Sequence, residues 1–127
     1  AIEDYGKAIE LNPNDAAAYY NRGNAKYESG DKKGAIEDYG KAIDLNPNYA
    51  AAYYNRGNAK SDLGDKEGAI EDYGKAIELN PNYAEAYYNR SQCYREMAER
   101  ETDTDRKQEL LAKAEADKKE AERLKRK

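Results

Sequence analysis

The fourteen residues AIEDYGKAIELNPN at Ala1 return as AIEDYGKAIDLNPN at Ala35 and as AIEDYGKAIELNPN at Ala69, a fixed step of 34 residues. The stretch between them keeps the same step, as DAAAYYNRGNAK at Asp15, YAAAYYNRGNAK at Tyr49 and YAEAYYNRSQCY at Tyr83. Self-similarity at this period predicts a stacked array, in which each unit buries its apolar face against its neighbours rather than in one central core.

Punctuation inside the unit predicts two helices. Asn12-Pro13-Asn14 stops one helix, and Asn14 or Asp15 caps the next, because proline lacks an N–H and a short polar side chain can accept one. That leading helix runs to about Ser29, where Gly30 ends it and Asp31 caps the trailing helix. In the trailing helix Ala35, Ile36, Tyr39, Ala42 and Ile43 recur at three- and four-residue steps and mark one apolar face. Leu and Ile number only seven and six, with no Val or Phe, so the packing must come from 21 Ala and 13 Tyr. Small residues and amphipathic rings can bring helices close without many aliphatics. Gly23 and Gly57, each one turn after a tyrosine, are expected to let the paired helices approach.

A 34-residue helix pair with this spacing resembles the tetratricopeptide repeat family, over residues 1 to about 98. The places of the family pattern carry Tyr19, Arg22, Gly23, Lys26, Ala35, Tyr39 and Pro47, then Tyr53, Arg56, Gly57, Lys60, Ala69, Tyr73 and Pro81. Gly, Ala and Pro match outright and the aromatics match in kind. Arg22 and Lys26 replace a Leu and a Tyr, and their stems are expected to lie along apolar surface. The resemblance implies an all-α, right-handed α-solenoid of antiparallel helix pairs. Its parts are a half unit over 1–14 (a trailing helix only), full units over 15–48 and 49–82, and a divergent last unit over 83–127. In that unit Ser91 replaces the glycine, the Gly-Asp turn is missing, and Thr102 to Asp105 offers a new turn and cap. A long capping helix follows from about Asp105 to Lys125, with an apolar stripe of Leu110, Leu111, Ala114, Ala121 and Leu124 and a free end beyond Lys118.

The residues that would carry chemistry are scarce. With no His and a single Cys93, imidazole acid/base catalysis, Ser-His-Asp triads, internal disulfides and thiolate zinc sites are excluded. Asp103-Thr104-Asp105 lacks the glycine and terminal glutamate of a calcium loop and reads as a helix cap. Glu37-Asp38 and its copies read as an exposed helix side. No enzyme, cofactor or metal is expected. The net charge of -4 gives nucleic acid or an anionic membrane little attraction, and the basic LKRK end reads as a solvated helix terminus. No run approaches the ~20 apolar residues of a membrane span. The lone cysteine fits a reducing, cytoplasmic setting.

What remains is a surface. The resemblance implies that the leading helices line a concave groove for an extended peptide or short helix. Carried over by position, the groove presents Tyr20, Asn21, Asn24, Tyr27 and Glu28, then Tyr54, Asn55, Asn58, Ser61 and Asp62, then Glu85, Tyr88, Asn89, Gln92, Arg95 and Glu96. Amide side chains can pair with a peptide backbone, and tyrosine adds contact area at low entropic cost. The clamp by which chaperone-binding members hold a C-terminal carboxylate keeps Asn24 and Asn55. Its cationic places hold Tyr20, Glu85 and Asn89, so chaperone tails are not expected ligands. The leading expectation is a protein-interaction scaffold with a protein or peptide partner. The alternative is a consensus-like or engineered array without an evolved ligand, which the near-identity of the copies fits. That array would form a homo-oligomer through Ile2, Tyr5 and Ile9 of the half repeat, left uncovered by trimming from a longer array.

Overall fold

A computed structural model describes residues 1–126; Lys127, at the end of the LKRK cluster, lies outside the described residues. The helices are α1 (Ile2–Leu11), α2 (Ala16–Glu28), α3 (Lys32–Leu45), α4 (Ala50–Asp62), α5 (Lys66–Leu79), α6 (Ala84–Arg100) and α7 (Thr104–Lys125). Each helix packs on the next in sequence. The leading helices α2, α4 and α6 also touch one another, whereas α3 and α5 do not, so the leading layer forms the inner side of a curved stack.

Local chemistry sets the helix ends. Asp15, Asp31 and Asp65 accept hydrogen bonds from the backbone N–H of Ala18, Gly34 and Gly68 at 3.2, 2.9 and 2.9 Å. Gly30 and Gly64 sit at φ +95° and +92°, and the following Asp31 and Asp65 N–H groups return to the Lys26 and Lys60 carbonyls at 2.8 and 2.9 Å. This closes the leading helices in the left-handed turn that glycine adopts without steric cost. Helix α6 has no such glycine and runs 17 residues, against 13 for α2 and α4. Tyr49 and Tyr83 precede α4 and α6 at the N-cap position and supply no side-chain cap. Their rings instead lie 4.8 Å, centroid to centroid, from Tyr20 and Tyr54 of the preceding unit, so the position serves the contact between units.

The packed interior is alanine and tyrosine, as expected. Ala35, Ala42, Ala52, Ala69, Ala76 and Ala86 are fully buried, and Tyr39 and Tyr73 are the largest enclosed side chains. A Cβ on Gly23 or Gly57 would stand 2.8 Å from Cε1 of Tyr39 or Tyr73, so these glycines admit the ring. Gly40, in the middle of α3, faces only the Arg56 Nη1 atom at 3.7 Å, an ordinary contact. The two positions should therefore respond oppositely in thermal melts. Gly40→Ala gains helix propensity worth about 1 kcal/mol and raises the melting temperature by roughly 4 °C. Gly57→Ala overpacks the Tyr73 ring and costs about 1–3 kcal/mol.

Three expectations need correction. Asp38 and Asp72 are buried, at 3% and 4% exposure, instead of lying on a solvated face. Arg22 grips Asp38 through Nε and Nη2, both at 2.8 Å, and Lys26 Nζ lies 3.2 Å from the same carboxylate. Arg56, Lys60 and Asp72 repeat the arrangement at 2.9, 2.8 and 3.1 Å. The Arg and Lys that depart from the family pattern thus face a buried counter-charge as well as covering apolar surface. The second correction concerns α7, which does not project beyond Lys118: Asp117 and Ala121 are buried, and Lys125 Nζ lies 5.8 Å from the Tyr88 ring centroid. The third concerns the stripe. Leu110, Ala114 and Ala121 face α6 and Leu124 is half-buried, but Leu111 is 42% exposed.

The burial of Asp117 explains how α7 closes the array. Ala114, Asp117 and Ala121 reproduce the register of Ala35, Asp38 and Ala42, and Arg90 holds Asp117 at 2.7 and 2.8 Å as Arg22 holds Asp38. The separation within the pair grows from 16 to 27 residues, so α7 is a trailing helix displaced by eleven inserted residues. In this register Lys118, exposed, stands where Tyr39 and Tyr73 stand, and the facing glycine has become Ser91. Without a ring to admit, the side chain fits.

Candidate functional site

The inner face of α2, α4 and α6 carries a hydrogen-bonded ladder of amides and phenols. Asn55 Nδ2 donates to Asn24 Oδ1 and to the Tyr20 hydroxyl, both at 3.0 Å. Asn24 Oδ1 also accepts from the Tyr39 hydroxyl at 2.5 Å. One unit on, Asn89 Nδ2 donates to Asn58 Oδ1 and the Tyr54 hydroxyl at 3.0 and 2.8 Å, while the Tyr73 hydroxyl donates to Asn58 Oδ1 at 2.5 Å. Each ladder step spends one amide oxygen and one amide nitrogen. The other edge of each amide, Nδ2 of Asn24 and Asn58 and Oδ1 of Asn55 and Asn89, bonds to no described residue. The free groups therefore alternate between donor and acceptor along the face.

Two clefts open on this ladder. One, of about 300 Å³, is lined by Asn24, Tyr27, Glu28, Tyr39, Asn55 and Asn58. Its neighbour, of about 230 Å³, shares Tyr27 and Asn58 and adds Ser61, Asp62, Asn89 and Gln92 above the Tyr73 ring. The Tyr27 hydroxyl donates to Asp62 Oδ2, and burial together with this bond pushes its pKa up to about 12. Lys32 Nζ lies 4.5 Å from the Tyr27 ring centroid and 3.6 Å from Asp62 Oδ2. At the equivalent place one unit on, Lys66 Nζ is held more closely, by Glu96 at 2.5 Å and by the Ser61 hydroxyl and carbonyl at 2.9 and 3.1 Å.

Of the residues expected to line the groove, Asn24, Tyr27, Glu28, Asn55, Asn58, Asp62, Asn89 and Gln92 come together around the clefts. Tyr20 and Tyr54 line neither cleft; their rings pack at a tilt against Tyr39 and Tyr49 and against Tyr73 and Tyr83. Asn21 is exposed outside both clefts, Arg95 is half-buried outside them, and Tyr88 is 40% exposed beneath Lys125. Tyr39, Tyr73 and Lys32 are additions. Tyr39 and Tyr73 read as core from their spacing, yet their hydroxyls reach the groove floor; the signal is an Asn fifteen residues before each. In α1, Ile9 is buried, Tyr5 half-buried and Ile2 37% exposed. Among the described residues no group of three or more Cys, Asp or Glu side chains is arranged to hold a metal, and no helix is long and apolar enough to cross a membrane.

Comparison with known proteins places this architecture. A family model described as TPR repeat matches residues 1–30 and 23–64, and models described as tetratricopeptide repeat match 50–83 and 73–115. The crystal structure of MamA is similar over 98% of this chain and 67% of its own, at 30% identity and a TM-score of 0.86. The first TPR of Spaghetti (RPAP3), bound to the HSP90 peptide SRMEEVD, matches 76% of this chain and 77% of its own, at 31% identity and a TM-score of 0.75. The second, bound to the same peptide, matches 86% and 91%, at 25% identity and a TM-score of 0.75. No curated protein matches in sequence. The 34-residue helix pairs, the glycine that admits a tyrosine ring and the matched models agree: the chain belongs to the tetratricopeptide repeat family.

Proposed function

We propose that this chain is a protein-interaction scaffold that holds an extended peptide segment along the inner face of α2, α4 and α6. The observation that carries the reading is the amide ladder, whose free edges alternate donor and acceptor as a peptide backbone does. The clefts beside it are polar and open, suited to side chains of a segment lying across them. Similar arrays in RPAP3 were solved with a bound peptide, which supports a peptide as the ligand class. Self-association through α1 is supported less, because Ile9 is buried, Tyr5 is half-buried and Ile2 is only 37% exposed.

Panning a random peptide library against the intact chain tests the groove. Tyr27 lines both clefts and Gln92 the second, and neither is buried, so Tyr27→Ala with Gln92→Ala should preserve the helical signal. Capture should fall at least about tenfold, the loss of ~1.4 kcal/mol or more expected when an aromatic anchor is truncated. Undiminished capture by the double variant would remove the groove from consideration.

A further inference from the structure

The structure assigns a charge to the ligand: we propose that the segment held in the groove carries a lysine or arginine whose cation docks between the Tyr27 ring and the Asp62 carboxylate. This rests on the groove reading above and adds the ligand's chemistry to it. The place already holds an ammonium group of the chain itself, Lys32 Nζ, over the Tyr27 ring at 4.5 Å and beside Asp62 at 3.6 Å. An aromatic face next to a carboxylate attracts a cation both through the ring quadrupole and through charge.

Lys32 is a loose occupant. Its ammonium makes no hydrogen bond to any described residue, its ion pair is long, and the Lys32 and Asp62 side chains are 30% and 42% exposed. Lys66, in the equivalent position, has three close oxygen partners and is 17% exposed. An incoming cation can therefore take the first place by displacing a loosely held, partly exposed side chain, but not the second. Asp62 also lines the second cleft, so a cation seated there belongs to a segment crossing the ladder at Asn58 and Asn89.

The remaining charges point the same way. Glu28 and Asp62, at the same register in successive units, bring a carboxylate to each cleft, while Glu96, one unit on, is already paired with Lys66. The places where a carboxylate clamp would need cations hold Tyr20, Glu85 and Asn89. An acidic segment would meet repulsion where a basic one meets a partner.

Three random dodecapeptide libraries with blocked ends, fixed at the centre as Lys, Ala or Glu, distinguish the possibilities by retention on the immobilised chain. The Lys-fixed library should be retained roughly two- to fivefold over the Ala-fixed one, the range of an exposed cation–ring contact, and the Glu-fixed library least. Asp62→Asn should erase the Lys preference, bringing the Lys-fixed and Ala-fixed libraries to equal retention relative to one another, and Lys32→Gln should strengthen it. Equal retention of the three libraries, or a Lys preference that survives Asp62→Asn, overturns the cation site and leaves the peptide groove standing. No retention of any library overturns the groove reading and this inference with it.

Discussion

Asp72→Ala is expected to lower the stability of the array by about 3 kcal/mol, the usual cost of removing one partner of a buried ion pair. The carboxylate is 4% exposed and accepts two hydrogen bonds from Arg56, with Lys60 Nζ at 3.1 Å. Truncation leaves two cations, each about one-fifth exposed, without their counter-charge. For a chain of this size the loss corresponds to a fall of roughly 12 °C in melting temperature. The family pattern supplies the control. Leucine is usual at the Arg56 place, and an apolar replacement of a whole buried pair is often nearly neutral. Arg56→Leu combined with Asp72→Ala should therefore recover more than half of the loss seen with Asp72→Ala alone. Strictly additive losses in a thermal or urea series would show that the pair does not act as a unit.

Raising the pH should unfold the array from about pH 10. Burial first, then neighbouring negative groups, push the Tyr39 and Tyr73 hydroxyls above the ordinary tyrosine value of 10.0. In the folded state both remain neutral donors to Asn24 and Asn58. In the unfolded state they ionise near pH 10, so above that pH the unfolded chain releases protons that the folded chain retains. Stability is therefore fully present below pH 10 and falls as pH rises, by about 1.4 kcal/mol per pH unit for each tyrosine and ~2.7 kcal/mol per unit for the two. Tyr27, Tyr49 and Tyr83 are shifted in the same direction and steepen the fall. Urea titrations between pH 8 and pH 12 measure this slope, and Tyr39→Phe with Tyr73→Phe should flatten it. A stability unchanged up to pH 12 would mean that the two hydroxyls are not enclosed.

The sequence yields the helix pairs because their determinants are local. A glycine at positive φ, an aspartate three residues before the N–H it caps and a proline after the last turn each act within a few residues, and the 34-residue step repeats them. The close approach at Gly23 is legible for a related reason, since the missing side chain recurs at the same step, whereas the ring it admits, Tyr39, lies on another helix. The buried carboxylates are not local. Glu37-Asp38 looks like a charged helix side until Arg22 and Lys26, on another helix, are read with it as one set. The same blindness hides the role of α7, where eleven inserted residues move Asp117 out of step with Asp38 and Asp72 and only the Ala-Asp-Ala register betrays the match.

The inner face is legible in its amides and less so in its aromatics. Asn24, Asn55, Asn58 and Asn89 lie on the expected face because position in the repeat fixes their direction. Tyr20 and Tyr54 share that register, but their rings pack at a tilt against Tyr49 and Tyr83 of the next unit. Tyr39 and Tyr73, placed in the core by their spacing, send their hydroxyls through to the floor because a buried phenol needs an acceptor. The pairing of Lys32 with Tyr27 and Asp62 joins three helices and leaves no mark in any one segment.

A peptide bound along the amide ladder must perturb the side-chain amides of that ladder, whose resonances report on it directly. A ¹⁵N-labelled chain titrated with a library-selected peptide should show its largest side-chain amide shifts at Asn24, Asn55, Asn58 and Asn89, saturating together with the binding isotherm. Saturated binding that leaves these four amides unmoved, with shifts confined to the outer residues Glu37, Lys41, Glu71 and Lys75, would contradict it.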